Sequence, residues 1–364
     1  MIKIVHGADF HLDSPFAGLP PEKARQRRAE SRELLYRLLE LVRQEQSDLL
    51  LLSGDLFDSG EIFPETIATL SRVLSAMPCP VCIAPGNHDP YTASGPYAGI
   101  SWGENVHIFT SQQMESVDFP HLNCVVHGCA FTESTSLRHP LEHFSAPQDG
   151  KLHLLCLHGD MGAEHSSYAP ITRQELLRSG VTYAALGHIH QCSGFQRCGD
   201  TCWAYPGCPE GRGFDETGDK GVLVGTIEAG QVRLAFVPLC RRRYRLLQAS
   251  VTGTTYRQAL ESVLAPEVAE DVCRVTFIGE AEETGVDLNH LQSAFSRRCF
   301  QLQLEDNTHI AEGLWDRAGE DSLRGLFLQE MNRRFNAAAE DGERRLVEEA
   351  VRLGLAAMDG RDIT

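Results

Sequence analysis

In the stretch APGNHDPY, an asparagine, a histidine and an aspartate (Asn87, His88, Asp89) stand in a row after an apolar run and a Pro-Gly turn. Alone, the tripeptide reads as a polar turn, because Gly, Asn, Asp and Pro are ordinary turn residues. It reads equally as a metal ligand, a general acid and a carboxylate that holds the acid. Other apolar runs end in similar groups: ADFHLD with Asp9 and His11, GDLFD with Asp55 and Asp58, LHGD with His158, and GHIH with His188 and His190. Ligands of α/β sheets bind at the carboxyl ends of strands, so five such ends would bring two Asp, one Asn and four His as candidate ligands to one edge, with His88 as a fifth histidine beside them. Carboxylate, amide and imidazole donors without thiolates suit Mn, Fe or Zn. Two cations about 3.5–4 Å apart clamp an in-line displacement at phosphorus, and a shared carboxylate is needed to hold them there. Asp55 is the candidate bridge, with Gly54 letting the backbone approach closely. In DFH and HIH the two ligands are two residues apart, which on a strand points both to one face. An imidazole with a near-neutral pKa, as at His88, suits general-acid work once a partner fixes its other nitrogen.

The elements that would carry these residues follow from the apolar pattern. IKIVHG (2–7), DLLLLSG (48–54) and VCIAPG (81–86) are apolar runs that end in glycine, the mark of buried strands. Leu34, Leu35, Leu38, Leu39, Leu41 and Val42 recur at helical spacing between the first two. A second helix should start at Pro64, a good first helical residue, and run to about Met77. Strand–helix–strand alternation implies right-handed crossovers and a sheet covered by helices. From Leu122 the pattern is richer in strands: LNCVVHG, KLHLLCLHG, YAALGH, TCWAYPG, GVLVGTIE and QVRLAFVPL, which we read as a second sheet packed on the first. The basic run CRRRYRL at Cys240 marks a boundary. The expected organisation is a metal-site domain over 1–240, a small α+β capping domain over 241–310 and a helical tail over 311–364. There is no internal repeat and no low-complexity segment.

Composition narrows the class. The 364 residues are 42% hydrophobic, and no apolar run approaches the ~18 residues of a membrane span. The N-terminal stretch has too short an apolar core for a signal peptide, so a cytoplasmic protein without membrane attachment is expected. Twelve cysteines are scattered through the chain, several inside apolar runs, and the densest group (Cys192, Cys198, Cys202, Cys208) lacks zinc-ribbon spacing. The net charge of −17 divides into 21 basic against 28 acidic side chains through residue 250, and 12 against 22 beyond it. A polyanionic partner would therefore have to meet a local basic patch rather than a global field.

The set Asp9/His11, Asp55, Asn87-His88-Asp89, His158 and His188/His190 resembles the calcineurin-like metallophosphoesterase superfamily over about residues 1–240. Within it, the stretches ADFHLDSPFAGL and YPGCPEGRGFDETGDKG make the chain most similar to SbcD-type DNA-repair nucleases, the bacterial YhaO branch in particular. SbcD-type chains often have Gly after the first His-Leu pair, where this chain has Asp13. The resemblance implies a two-sheet αββα sandwich. One metal would be held by Asp9, His11, Asp55 and His190, and a second by Asp55, Asn87, His158 and His188. His88 would act as acid or transition-state stabiliser, oriented by Asp89, while a metal-bound hydroxide attacks phosphorus in line. It further implies Mn²⁺ as the metal (Fe²⁺ or Zn²⁺ as alternatives), DNA as substrate, an SMC-like coiled-coil ATPase as partner, and a homodimer. Arg212, in EGRGF on the expected metal-side rim, is the candidate phosphate contact, with an exposed structural arginine as the plain alternative.

Two rival functions use the same residues differently. A small-molecule phosphoesterase would need neither capping domain nor tail; a non-catalytic adaptor for an ATPase would not need a complete set of ligand and acid positions. In the tail, Leu323, Leu326, Phe327 and Met331 should share one helical face, as should Leu346, Val347, Ala350, Val351 and Leu353 on the next helix. These faces either pack on the capping domain or dock on a partner.

Overall fold

The leucine run at 49–52 is buried on both faces, and this one fact sets the layering. Leu50 and Leu52 join a core with Leu34, Leu38, Leu70 and Leu74 of two helices, whereas Leu49 and Leu51 join a core with Val126, Leu154 and Cys156 of other strands. Alternate side chains of a strand point to opposite faces, so this strand lies between a helical layer and a second sheet. A strand covered on both faces reads as a continuous apolar run.

The computed structural model describes residues 1–58, 62–281 and 286–360, which fall into two compact units divided between Arg241 and Arg242. The first unit runs in the order β1 (Ile2–Gly7), α1 (Pro21–Glu45), β2 (Leu49–Leu52), α2 (Pro64–Ser75), β3 (Val81–Ile83), α3 (Pro96–Gly99), β4 (Val106–Ile108), β5 (Glu115–Phe119), β6 (Cys124–Gly128), β7 (Leu152–His158), α4 (Arg173–Arg178), β8 (Tyr183–Gly187), β9 (Gln196–Cys198), β10 (Thr201–Ala204), β11 (Gly221–Glu228) and β12 (Gln231–Pro238). The first sheet has the order β12-β11-β1-β2-β3-β4, with β1 to β4 parallel; the second has the order β5-β6-β7-β8-β10-β9. Helices α1 and α2 cover the first sheet. Leu176 of α4, with Leu141 and Ile171, covers the outer residues Leu155, Leu157 and Leu186 of the second. The result is an αββα sandwich, as the sequence predicts.

One expectation about the sheets fails. GVLVGTIE and QVRLAFVPL form β11 and β12, but they belong to the first sheet: β11 runs antiparallel along β1 with Ile2 opposite Ile227 and His6 opposite Leu223. The reason is geometric. The crossovers from β1 to β4 all build away from one side of β1, leaving its other edge open, and the β11–β12 hairpin completes it.

The second unit contains β13 (Tyr244–Ser250), α5 (Tyr256–Val263), β14 (Val272–Ile278), β15 (Glu280–Ala281), α6 (Leu288–Phe295), β16 (Gln301–Asp306), β17 (His309–Ile310), α7 (Glu312–Asp316), α8 (Leu323–Ala337) and α9 (Asp341–Met358). Strands β13, β14 and β16 form a parallel sheet packed against α5 and α6 through Leu260, Val275, Phe277 and Phe295. The expected apolar faces of the two tail helices are divided. Phe327, Met331, Val347 and Val351 pack with Leu328, Leu355 and Ile310, while Leu323, Leu326, Leu346 and Leu353 are exposed. The residue at the centre of the α8 contact is Leu328, one step around the helix from the face the spacing suggested. No described helix is long and apolar enough to cross a membrane.

Candidate metal centre

Every singled-out residue of the first unit arrives at the carboxyl edge of the parallel strands. Asp9 and His11 lie just beyond β1, Asp55 and Asp58 beyond β2, and Asn87, His88 and Asp89 beyond β3. His158 is the last residue of β7, and His188 and His190 follow β8. Neither DFH nor HIH lies in a strand, so strand alternation does not set the direction of either pair. Asp9, His11, Asp55 and His188 have φ of 54°, 44°, 51° and 116°, in or beyond the left-handed region that non-glycine residues rarely adopt. It is this turned backbone that aims the side chains inward, and such strain concentrates at functional sites.

Glycines let the two sheets close on the site. A Cβ on Gly54, itself at φ 91°, would lie 2.4 Å from His158 Nδ1. A Cβ on Gly187 would lie 1.8 Å from the Ser53 carbonyl oxygen.

The donor atoms converge in two groups that share one oxygen. In the first, His11 Nε2 is 3.1 Å from His190 Nε2 and 3.7 Å from Asp55 Oδ2, and His190 Nε2 is 3.9 Å from Asp9 Oδ1. In the second, His158 Nε2 is 3.0 Å from Asn87 Oδ1 and 3.4 Å from Asp55 Oδ2, and His188 Nδ1 is 3.3 Å from Asn87 Oδ1. Ligands about 2.0–2.2 Å from a common cation stand roughly 3.0–3.5 Å from one another, so these spacings fit divalent ions. The chemistry of the donors fits as well. Burial holds His11 and His188 down at about 4 and lowers His158 too, leaving neutral rings with lone pairs to offer. Burial and the neighbouring Asp55 push the Asp9 carboxyl well up from its ordinary value, an environment that a cation would relieve.

His88 behaves differently. It is exposed, its Nδ1 lies 3.5 Å from Asp58 Oδ1, and that carboxylate raises its pKa. The expectation that Asp89 orients His88 is corrected here. Asp89 is buried beneath the site and accepts from the backbone N–H groups of Asp55, Leu56, Phe57 and Gly86 and from the Tyr97 hydroxyl. Five donors leave no place for a proton, so we read Asp89 as an ionised carboxylate although burial and Asp55 push its pKa upward. Its work is to hold the Asp55 turn against the Gly86 turn. The group beside His88 is Asp58, the last residue of GDLFD, which also lies 3.3 Å from His11 Nδ1. Against the desolvation of burial, the His11 and His88 rings hold the Asp58 carboxyl well below its usual range.

A further residue of the site is Glu216. Its Oε1 lies 2.6 Å from His190 Nδ1, and it accepts from the Arg212 N–H at 2.8 Å and from the Arg212 guanidinium at 2.8 Å. Ring, carboxylate and guanidinium thus form one chain, and Arg212 Nη1 reaches to 3.8 Å from Asp58. Arg212 is at the site, as expected, but ion-paired there. Its loop is anchored by buried Arg27 of α1, which pairs with Glu210 at 2.7 Å and Glu30 at 3.2 Å and donates to the Gly211 carbonyl. Only the run of polar residues in EGRGFDETGDKG hinted at such a role. Asp13, which stands where related chains often have Gly, accepts from Phe63 N and Thr66 Oγ1 and so ties the loop after His11 to the start of α2. The twelve cysteines are free thiols; Cys198 and Cys208 donate to the carbonyls of Arg173 and His190.

Sandwich and site together have the architecture of a metallophosphoesterase, and comparison with known families agrees. The calcineurin-like phosphoesterase model matches residues 2–192, more than half of the chain, and the chain belongs to that family. It is 31% identical over 246 residues to the uncharacterized metallophosphoesterase YhaO of Bacillus subtilis, covering 65% of this chain and 60% of that protein. It is 28% identical over 123 residues to a component of the nuclease SbcCD of Staphylococcus epidermidis, covering 33% and 31%. The chain thus spans less than two thirds of either relative.

Proposed function

We propose that this protein hydrolyses phosphodiesters of DNA in repair, with two divalent ions, Mn²⁺ foremost, and that it works with a coiled-coil ATPase. The supporting observation is the pair of donor groups joined at Asp55 Oδ2, the arrangement in which two cations are held close enough to act on one phosphate. Asp9, His11, Asp55 and His190 would hold one ion, and Asp55, Asn87, His158 and His188 the other. When bound, such ions supply an activated water and Lewis-acid charge at the phosphate oxygens. The protein's own contribution is positioning and protons. His88, at the open side of the site, donates to the leaving oxygen, and Asp58 holds the ring for that transfer. Glu216 keeps the proton of His190 on Nδ1, so that Nε2 faces inward. Arg212, held flat by Glu216, is placed to meet a non-bridging phosphate oxygen.

DNA as substrate and an ATPase as partner draw support from the nuclease relative, whose name carries both a nuclease activity and a complex of more than one chain. The exposed Leu323 and Leu326 of α8 and Leu346 and Leu353 of α9 are apolar side chains of the kind a coiled coil covers. The direct test is hydrolysis of bis(p-nitrophenyl) phosphate and of a labelled single-stranded oligonucleotide with Mn²⁺, Mg²⁺ or EDTA. Imidazole ligands favour Mn²⁺ over Mg²⁺, so Mn²⁺ should support turnover of both substrates far better. Turnover of neither, or turnover that persists in EDTA, would overturn the reading.

A further inference from the structure

Arg25, Arg28 and Arg32 of α1, spaced three and four apart, share the flank that meets the loop after His11. The contacts fix which way the basic flank looks. Arg28 donates to the Pro15 carbonyl and its guanidinium lies 5.9 Å from the centre of the Phe63 ring; Arg32 pairs with Asp13 and Glu65. Among the described residues, neither Arg25 nor Arg28 pairs with a carboxylate, on a chain with a net charge of −17. Phe63 beside them is 46% exposed, a large ring kept at the surface. Its backbone N–H is bonded by Asp13, two residues past His11, so ring and arginines are fastened to the same loop that carries the metal-site residues.

We propose that Arg25, Arg28 and Phe63 form a track for single-stranded nucleic acid leading to the metal centre, the arginines meeting backbone phosphates and Phe63 stacking a base. The proposal rests on the reading of the site as a phosphodiesterase and names where its polymeric substrate lies. Cations that follow a backbone and aromatic rings that accept any base are the two parts of sequence-tolerant single-strand binding. An acidic protein needs such a local patch, because its overall field repels the polyanion. A solvated helix flank would explain the arginines but not an exposed phenylalanine between them and the site loop.

The two parts have different signatures. Binding of a fluorescein-labelled 15-nucleotide oligothymidylate, followed by anisotropy in EDTA to prevent cleavage, is measured against salt concentration. Arg25→Ala with Arg28→Ala should weaken binding and flatten the plot of log K against log salt by about 1.4, at about 0.7 per lost phosphate contact. Phe63→Ala should weaken binding on the order of tenfold with the slope unchanged. All variants should hydrolyse bis(p-nitrophenyl) phosphate at the parent rate, since none of these residues belongs to the metal centre. If small-diester turnover is intact and neither affinity nor slope changes, the track is refuted and the site reading stands. If the parent turns over no diester at all, the site reading fails instead.

Discussion

Replacing Asp89 by asparagine separates a residue that holds the fold from one that serves the chemistry. Asp89 Oδ1 accepts from Asp55 N and Gly86 N, and Oδ2 from Leu56 N, Phe57 N and the Tyr97 hydroxyl. Whichever way an amide is turned, its NH₂ faces at least two buried N–H donors and leaves them unpaired. A buried donor without a partner costs about 1–3 kcal/mol, so Asp89→Asn should destabilise by roughly 2–6 kcal/mol. That is a large share of the ~5–15 kcal/mol typical of a folded protein. With a urea m-value of about 3 kcal/mol/M, the midpoint should fall by about 0.7–2 M. Trp102 reports the change locally, because its indole N–H bonds the Tyr97 carbonyl and its ring stacks on Tyr97. Asp58→Asn should do the converse. Its stability should stay within about 1 kcal/mol of the parent, as for most substitutions outside the core. Its turnover should fall tenfold or more, bounded by the 10²–10⁴ of a general acid. If Asp89→Asn unfolds like the parent and loses turnover as Asp58→Asn does, the assignment of the orienting role to Asp58 is wrong.

Three further outcomes are expected. Asp55→Ala should lose bound metal and turnover together, whereas His88→Ala should keep about two ions per chain by elemental analysis and lose about 10²–10⁴ in turnover; an empty metal position in the His88 variant would contradict its role as acid. Glu216→Gln should weaken metal affinity about 10–100-fold in a competitive chelator titration, and unchanged affinity would make Glu216 a bystander. The third concerns His127, which is buried between Ser116 and His153, with Asp149 beyond, and is held down at about 4 chiefly by burial and then by His153. The unfolded chain takes up its proton first, so the stability this group contributes is complete above about pH 6.5 and is lost as pH falls toward 4. His127→Gln should therefore show a shallower drop in melting temperature between pH 7 and 4.5, and an equal drop would rule out His127 as a source.

The strands that carry the site were legible because each is buried on both faces and so stands out as an apolar run with a polar end. What sequence could not show was adjacency across the fold. Neighbourhood along the chain suggested Asp89 as the partner of His88, but the turn at Gly86 directs Asp89 into the interior, and Asp58 of a different strand end takes the place beside the ring. Glu216 reaches His190 from 26 residues away through a loop that has no regular structure to announce it. The left-handed backbone at Asp9, His11, Asp55 and His188 was equally hidden, since periodicity carries no information about φ. Strands β4, β5 and β9 are short and mostly half-exposed, so their pattern lacked the apolar contrast that revealed β1 to β3.

The pairing of β1 with β11 has a consequence for how the chain matures on the ribosome. Ile2 finds its partner only when Ile227 has been made, and Asp9 and His11 wait 179 residues for His188 and His190, and longer for Glu216. At about 5–20 residues per second, the interval is on the order of 10–45 s, during which the β1 edge lies open and the nascent protein can assemble neither half of the cluster in full. A metal that needs ligands from both halves would be captured only once the whole sandwich is complete. A pause in translation shortly before residue 220 should hold the chain in a metal-free, chaperone-accessible state, and one placed well beyond residue 240 should not.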